Sequence, residues 1–228
     1  IPMPLTRRRI LFTAAASAVP LMLPSGLRAQ GPSKKLAHAA IGISGQGGGD
    51  IGALMDGGFL EVVAIAEVDQ RNHAAARERF PHAVIYQDWR ELFRKEASRI
   101  DSVNVSVPDH MHAAVTLTAL SLKKHVYCQK PLTRTIGEAR AVQTASREAG
   151  VVTQMGNQIH SSSEYRTAAK MVREGAIGKV REIHCWTGAK YPQKARPEGA
   201  DTVPAGLDWD LWLGVAPERP YREAIYHP

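Results

Sequence analysis

The chain has 228 residues, of which 44% are hydrophobic and 22% are charged, and its formal net charge is +7. Residues 1–30 contain four arginines and no acidic residue, so the remaining chain carries only +3. This small charge, without a basic stripe interleaved with aromatic residues, argues against a nucleic-acid-binding protein. The two cysteines, Cys128 and Cys185, are too few for a disulfide-stabilised scaffold, and we expect both to be free.

The first thirty residues have the pattern of an export signal. Three arginines at residues 7–9 precede an apolar run at residues 10–23, and residues 27–29 predict a cleavage site before Gln30. The paired arginines resemble a twin-arginine signal, with an ordinary secretory signal as the alternative. About fourteen apolar residues are too few to span a bilayer, which needs roughly twenty. We therefore expect an exported protein, periplasmic or extracellular, without a permanent membrane anchor.

The rest of the sequence alternates short apolar runs with helical patterns. The apolar runs are rich in Val and Ile, as in strands that are buried on both faces. This order predicts an α/β fold with a Rossmann-like, doubly wound parallel sheet in a domain at residues 34–156. We predict strands at residues 36–43, 61–68, 82–86, 102–107, 124–128 and 151–155, and helices at residues 48–57, 70–80, 88–97, 111–123, 135–149 and 161–175.

The pattern changes after the last predicted helix. Residues 179–188 alternate apolar and polar side chains, and the stretch at 191–206 is rich in Pro, Gly and Lys. Too few residues follow to build a second complete domain. We interpret residues 157–228 as the incomplete start of a C-terminal domain, so that the chain is an N-terminal fragment of a longer protein.

A glycine-rich turn follows the first predicted strand and leads into the first predicted helix. In this context glycines let backbone amides approach a diphosphate at the helix N-terminus. The turn fits the spacing G-x-G-x-x-G, except that a serine replaces the middle glycine, and such turns can also be purely structural. It consists of Gly42, Ile43, Ser44, Gly45, Gln46 and Gly47.

Glu67 ends the second predicted strand, twenty positions after Gly47. A carboxylate there can accept hydrogen bonds from the ribose hydroxyls of an adenine dinucleotide and repels a 2′-phosphate. The alternative is that Glu67 only caps the next helix. Together, the turn and Glu67 predict a dinucleotide site that favours NAD over NADP.

Two further motifs end the fourth and fifth predicted strands, at the edge of a parallel sheet where ligands bind. They are Pro108-Asp109-His110-Met111-His112 and Gln129-Lys130-Pro131. With the glycine-rich turn, they resemble the Gfo/Idh/MocA family of sugar and inositol oxidoreductases, which has a Pro-Asp-x-x-His segment and a Glu-Lys-Pro motif. The resemblance covers residues 34–188 and includes Gly156-Asn157-Gln158. It implies that residues 157–228 begin an α+β domain for substrate binding and oligomerisation.

The resemblance also implies roles for single residues. Lys130 would be catalytic, near the nicotinamide and the substrate hydroxyl, where a lysine can hydrogen-bond the developing alkoxide. Gln129 replaces the family's glutamate, so its cofactor contact is open. His110 can simply face solvent, Asp109 can equally cap a helix, and no metal is expected. The implied cofactor contacts are Gly42, Ser44, Gly45, Gln46, Gly47, Glu67, Val107, Pro108, Asp109, His112, Gln129, Lys130 and Pro131. Three further residues either bind the substrate or shape a loop, namely Asn157, Gln158 and His160.

The function implied is an NAD(P)-dependent oxidoreductase that acts on a sugar or polyol hydroxyl. Because an exported protein cannot readily replace a released dinucleotide, we expect tight binding and regeneration of the cofactor in place. One alternative is glycoside cleavage by transient oxidation and elimination, and a different class is a non-catalytic sugar-binding protein on the same fold. The expected partner is a small carbohydrate, and the full-length protein is expected to form a homo-oligomer.

Overall fold

The computed structural model describes residues 35–188, 198–223 and 225–226. The predicted export signal at residues 1–30 lies outside this part of the chain. From Leu36 onward the described residues belong to one compact unit.

Six parallel strands form one sheet, and the strand order is β3-β2-β1-β4-β5-β6. The chain starts in the middle of the sheet, extends to one edge with the first three strands, and then returns to the middle to build the other half. This is the doubly wound order predicted from the sequence. The strands are β1 (Leu36–Ile41), β2 (Leu60–Ala66), β3 (Val84–Tyr86), β4 (Ser102–Val105), β5 (His125–Gln129) and β6 (Thr153–Gly156).

Seven α-helices are found in the described part of the chain, and the first five connect consecutive strands. Most begin and end within two or three residues of the predicted bounds. Short 3-10 turns at Gln70–Asn72, Asp109–Met111 and Gln158–Ser161 precede three of them. The helices are α1 (Gln46–Met55), α2 (His73–Arg79), α3 (Trp89–Glu96), α4 (His112–Ser121), α5 (Ile136–Ala149), α6 (Ser163–Arg173) and α7 (Trp209–Leu213).

Local capping residues explain where several helices begin and end. Asp88 accepts a hydrogen bond from the Arg90 amide at the start of α3. Thr135 and Glu138 form a capping box at the start of α5, and Gly150 ends that helix in the left-handed conformation. Each such cap satisfies backbone groups that have no partner inside the helix.

Helices cover both faces of the sheet and bury a separate apolar cluster on each face. On one face, Ile51 of α1 and Ala76 of α2 pack against the first strands. On the other face, Leu92 of α3, Val115 of α4 and Val142 of α5 pack against the sheet. Strands buried on both faces need apolar side chains at consecutive positions, which explains the unalternating runs in the sequence.

The carboxyl ends of β1 and β4 approach each other closely at Gly42, where the chain leaves the sheet. A Cβ atom at Gly42 would lie 2.3 Å from the Ser106 carbonyl oxygen, and Gly42 has a φ of 81°. The contact leaves no room for a Cβ atom, and the positive φ is unfavourable for any residue that has one. Glycine at this position therefore determines how the turn leaves the sheet.

A buried polar cluster lies between β1 and β4. His38 Nδ1 contacts the Ser102 hydroxyl at 2.8 Å, and His38 Nε2 lies 3.1 Å from Asn104 Oδ1. Because Asn104 Oδ1 only accepts, Nε2 carries the imidazole proton. Burial disfavours the charged ring and lowers the pKa of His38 to about 4.

The segment at residues 179–188 contains no strand, although its alternating pattern is typical of one. Ile183 and Trp186 are 83% and 84% exposed. Such a segment forms a strand when a neighbouring strand supplies backbone partners and covers its apolar face. Within the described residues no strand of the sheet pairs with it. The predicted domain boundary after residue 156 stays a prediction.

Residues 204–216 return to the sheet and pack beside its carboxyl edge. The Gln70 amide donates to the Gly206 carbonyl at 2.9 Å, and the Asp208 amide donates to the Val68 carbonyl at 3.4 Å. Asp208 caps α7 through the Leu211 amide at 2.9 Å. We call residues 204–216 the return segment. In the described ranges, no helix has the length and apolar character needed to cross a membrane.

Acidification is expected to destabilise the fold through His38. The unfolded histidine binds a proton below pH 6.5, whereas the folded one stays neutral down to about pH 4. Stability is therefore complete above pH 6.5 and falls by about 3 kcal/mol as the pH drops to 4. Urea unfolding from pH 7 to 4 should show a smaller loss for His38→Gln than for the wild type, and equal losses would contradict this account.

Replacing Gly42 by alanine should destabilise the cofactor-free protein by about 2–4 kcal/mol, because the new methyl group meets a backbone carbonyl and the φ is unfavourable. Gly49→Ala is the matched control. Gly49 lies inside α1 with no atom within 4 Å of a new Cβ, so this change should be neutral or stabilise by up to about 1 kcal/mol. Urea unfolding measures both values, and similar values would contradict the close approach.

Candidate dinucleotide site

A cleft of about 720 Å³ lies at the carboxyl ends of β1, β2 and β4. The strand order reverses between β1 and β4, and sheets of this type bind ligands at such a reversal. The volume is within the usual range of ligand sites. Its wall is formed by Ile41, Gly42, Ser44, Gly45, Gln46, Ala66, Glu67, Val68, Asp69, Arg71, Asn72, Gln87, Trp89, Ser106, Val107, Pro108, Met111, Leu211 and Trp212.

The glycine-rich turn brings the N-terminus of α1 to this cleft. Gly45 is the residue before the helix, with a φ of 50°, and no side chain caps the first turn. No acidic residue occupies that turn. Ser44, which replaces a glycine of the motif, is exposed on the cleft wall. An uncapped helix N-terminus with its amides and positive dipole end is suited to an anionic group.

Gly47 supports the turn from behind without lining the cleft. A Cβ atom at Gly47 would lie 2.4 Å from the Gly42 carbonyl oxygen. The missing side chain lets the first turn of α1 pack directly on the end of β1. Gly47 thus shapes the turn, whereas Gly42, Ser44, Gly45 and Gln46 line the cleft.

Glu67 lines the cleft and also holds the turn in place. Its side chain is 3% exposed, and its two carboxylate oxygens accept the Ile43 amide at 3.2 Å and the Asp69 amide at 3.1 Å. It caps no helix, because Asp69 caps the 3-10 turn that follows. Each oxygen keeps a second lone pair. The carboxylate can therefore still accept hydrogen bonds from a ribose.

An ion pair beside Glu67 was not predicted from the sequence. The Arg71 guanidinium donates to Asp69 Oδ2 at 2.5 Å and, through Nε, to Oδ1 at 2.8 Å. The Asp69 side chain is buried, and hydrogen bonding to it raises the pKa of Arg71. Both residues line the cleft, so this wall carries two carboxylates, Glu67 and Asp69, and one paired cation.

The segment after β4 contributes Val107 and Pro108 to the cleft but keeps its histidines away from it. His112 was predicted to lie against the cofactor. Its ring is buried, with the ring nitrogens 2.8 Å from the Val107 carbonyl and 2.5 Å from the Pro131 carbonyl, and its contact with a cofactor stays a prediction. His112 thus connects the ends of β4 and β5 from behind the wall. Asp109 is exposed, lies outside the cleft lining and caps no helix.

His110 contacts the return segment and is only partly exposed, so it does not simply face solvent. Its Nε2 atom donates to the Trp212 carbonyl at 2.9 Å, and its ring lies 5.2 Å from the Trp212 ring. Burial lowers the pKa of His110, which favours the neutral form of the ring. The motif after β4 therefore holds the return segment against the cleft.

The motif at the end of β5 lies outside the cleft lining. Gln129 is buried, while Lys130 and Pro131 are exposed. In the described residues no hydrogen bond or ion pair involves the Lys130 ammonium. Since β5 lies next to β4 in register, Lys130 stands at the same edge of the sheet as the β4 part of the wall, about one strand spacing away.

The three candidate substrate contacts that follow β6 have different surroundings. Gln158 Nε2 donates to Gln129 Oε1 at 3.2 Å. The His160 ring lies 4.6 Å from the Tyr165 ring of α6. Asn157 precedes the 3-10 turn without capping it by its side chain. Only Gln158 is thereby joined to the β5 motif, and whether these residues bind a substrate stays a prediction.

Within the described ranges, no group of three or more His, Cys, Asp or Glu residues could hold a metal ion. Both cysteines are free, Cys128 buried and Cys185 exposed. Burial raises the pKa of the Cys128 thiol to about 11, so it is protonated at neutral pH and is not a nucleophile.

Trp212 and Leu211 of the return segment were missed by the sequence analysis, although they form part of the cleft wall. The Trp212 ring stacks on the Trp209 ring at 4.7 Å. The stretch Asp208-Trp-Asp-Leu-Trp-Leu-Gly214 does contain a helix signal, an acidic cap before and a glycine after a short apolar run. No sequence signal connects that helix with a turn more than 150 residues earlier.

Residues 37–157 match the family model GFO_IDH_MocA, described as an oxidoreductase family with an NAD-binding Rossmann fold. Levoglucosan dehydrogenase from Pseudarthrobacter phenanthrenivorans is 31% identical over 116 residues, 51% of this chain and 29% of that protein. Inositol 2-dehydrogenase from Rubrobacter xylanophilus is 31% identical over 161 residues, 69% of this chain and 45% of that protein. The chain thus spans less than half the length of these curated relatives.

Solved structures show the same fold. The myo-inositol 2-dehydrogenase from Lactobacillus plantarum superimposes with a TM-score of 0.60 at 24% identity, over 64% of this chain and 43% of that one. The WlbA dehydrogenase from Bordetella pertussis, in complex with NADH and UDP-GlcNAcA, gives a TM-score of 0.57 at 19% identity, over 62% and 43%. On its matched sequence and its sheet order, the chain belongs to the Gfo/Idh/MocA family of oxidoreductases with an NAD-binding Rossmann fold.

Proposed function

We propose that this protein is an NAD-dependent oxidoreductase that acts on a hydroxyl group of a sugar or polyol and keeps its cofactor bound between turnovers. The observation that carries this proposal is the N-terminus of α1, which lacks a side-chain cap and opens into the cleft behind the glycine-rich turn. Relatives named as levoglucosan and inositol dehydrogenases support the substrate class.

The carboxylates at the end of β2 support NAD rather than NADP. Glu67 and Asp69 both line the cleft where a ribose would follow the diphosphate. A 2′-phosphate would face both carboxylates. Arg71 is close enough to offer it a cation, but Asp69 already holds the guanidinium by two hydrogen bonds. The balance of charge on this wall is therefore unfavourable for a 2′-phosphate.

The reaction that fits this edge of the sheet is oxidation of an alcohol. Bound NAD would supply a hydride acceptor for the carbon that bears the hydroxyl group. Lys130, exposed at the end of β5, can donate a hydrogen bond from its ammonium group to that hydroxyl oxygen and stabilise the negative charge that develops there, while the hydroxyl proton passes to solvent as the carbon is oxidised. Gln158, joined to the same motif through Gln129, can orient a neighbouring hydroxyl.

The return segment supports retention of the cofactor. Leu211 and Trp212 form part of the cleft wall, and contacts with Val68, Gln70 and His110 hold the return segment there. A dinucleotide bound in the cleft would contact this wall, and such contacts would slow its release. Such retention suits the export that the twin-arginine-like signal at residues 1–30 predicts, since free dinucleotide is scarce outside the cell.

A second candidate is a reaction without net oxidation, in which a sugar is oxidised transiently and reduced again, as in the proposed glycoside cleavage. One relative, from Escherichia coli, is named as 2,7-anhydro-N-acetylneuraminate hydratase and is 31% identical over 85 residues. A hydratase name within an oxidoreductase family favours this candidate. A retained cofactor serves both reactions.

Replacing Lys130 by alanine separates an enzyme from a non-catalytic sugar-binding protein. In the full-length protein with NAD⁺, turnover of myo-inositol or levoglucosan, followed by nicotinamide absorbance, should fall by a factor of about 10² or more. The NAD⁺ dissociation constant should stay within about threefold, because Lys130 does not line the cleft. Lys179→Ala is the control, an exposed lysine far along the chain. Unchanged turnover in Lys130→Ala would contradict the catalytic role.

Replacing Trp212 by alanine should weaken NAD⁺ binding about tenfold, because an aromatic wall beside a base contributes about 1–3 kcal/mol. The loss should appear mainly as faster dissociation, measured by stopped-flow displacement of bound NAD⁺. Trp186→Ala is the matched control, since Trp186 is exposed and outside the cleft. The same dissociation rate in both variants would contradict a role of the return segment in cofactor binding.

A further inference from the structure

Asp50, on the second turn of α1, has a buried carboxylate that receives three hydrogen bonds from neutral groups. Gln46 Nε2 and Gln129 Nε2 donate to Oδ1 at 2.8 and 2.9 Å, and the Ser106 hydroxyl donates to Oδ2 at 2.7 Å. The residue is 5% exposed. No ion pair involves Asp50 in the described ranges. These amide and hydroxyl donors therefore compensate most of the cost of burying the charge.

This carboxylate determines the orientation of the Gln129 amide. A carboxylate only accepts hydrogen bonds, so Gln129 must direct its NH₂ group toward Asp50. The amide oxygen then points the opposite way, where it accepts the Lys130 backbone N–H at 3.0 Å and Gln158 Nε2 at 3.2 Å. The negative charge on α1 is thereby coupled to the two residues proposed to contact a substrate.

The surroundings leave little room for Gln129 to adopt another conformation. The residue is 4% exposed, and β6 packs directly against its amide. A Cβ atom at Gly156 would lie 3.0 Å from Gln129 Nε2 and 2.7 Å from the Tyr127 hydroxyl. Loss of the Asp50–Gln129 hydrogen bond must therefore be absorbed by the bonds to Lys130 and Gln158.

We infer that Asp50 is a positioning residue, which fixes the Gln129 amide and through it the Lys130 backbone and the Gln158 side chain. The catalytic importance of those two residues rests on the proposed function, whereas the hydrogen bonds do not. The inference also explains the glutamine at position 129. A glutamate there would place a second carboxylate oxygen about 2.9 Å from Asp50 Oδ1, so the two side chains would have to separate or take up a proton, whereas glutamine supplies a donor at this distance.

The test moves the negative charge from position 50 to position 129 in the full-length protein. The variants are Asp50→Asn, Gln129→Glu, the double variant that combines them, and Gln143→Glu as a control for the same substitution at an exposed site on α5. In the double variant, the asparagine introduced on α1 can donate to the glutamate introduced on β5, which rebuilds the hydrogen bond with the charge at the other end. The direct readout is hydrogen exchange of the Lys130 amide in the cofactor-free protein, with thermal unfolding measured in parallel.

Exchange of the Lys130 amide should rise at least about tenfold in Gln129→Glu and return to within about threefold of the wild type in the double variant. Asp50→Asn should stay within about threefold of the wild type, because the asparagine oxygen still accepts from Gln129, and so should the surface control Gln143→Glu. A Gln129→Glu protein that does not fold, next to a double variant that folds and protects the amide, supports the inference equally. Wild-type exchange in Gln129→Glu, or a double variant no better than Gln129→Glu, overturns it.

Titration with NAD⁺ separates this inference from the proposed function. Restored protection of the Lys130 amide in the double variant, together with NAD⁺ binding to the wild type, supports both the role of Asp50 and the proposed function. Rescue without NAD⁺ binding in any variant leaves the positioning of Lys130 in place and contradicts the oxidoreductase proposal. NAD⁺ binding without rescue contradicts the role of Asp50 alone.

Discussion

The close approach of β1 and β4 at Gly42 is the constraint on which the rest of the site depends. With the Ser106 carbonyl where a side chain would begin, the chain can leave β1 only through a glycine. Gly47 then packs on Gly42 in the same way, which places the first turn of α1 at the strand reversal. The cleft, the uncapped helix N-terminus and the Asp50–Ser106 hydrogen bond all follow from this packing.

Two walls of different origin meet at the cleft. One wall is the carboxyl edge of the sheet, which is rigid because its strands are buried on both faces. The other is the return segment, which a few hydrogen bonds and the contact between His110 and Trp212 hold in place. Under the proposed function, a dinucleotide in the cleft would contact the glycine-rich turn and the aromatic surface of the return segment, both of which line it.

The local sequence was enough to predict the parallel sheet, its helices and the glycine-rich turn. Apolar runs and caps such as Thr135 and Gly150 act within a few residues. Glu67 was also found, because its distance from the turn is set by one strand and one helix.

Asp50, in contrast, has no motif around it, and its partners Ser106 and Gln129 are 56 and 79 residues away. Trp212 was missed for the same reason. The resemblance assigned His112 to the cofactor. No sequence pattern reveals that its two ring nitrogens contact backbone carbonyls. Residues 179–188 alternate like a strand, yet they have no strand partner among the described residues.

The central claim is that the turn at Gly42, the carboxylate of Glu67 and the return segment together hold an adenine dinucleotide. Native mass spectrometry of the full-length protein, purified gently and without added cofactor, tests this claim most directly. The account predicts a complex whose excess mass is that of NAD, and release of that mass on unfolding. Protein that carries no dinucleotide, and that takes up neither NAD⁺ nor NADH when they are added, would contradict it.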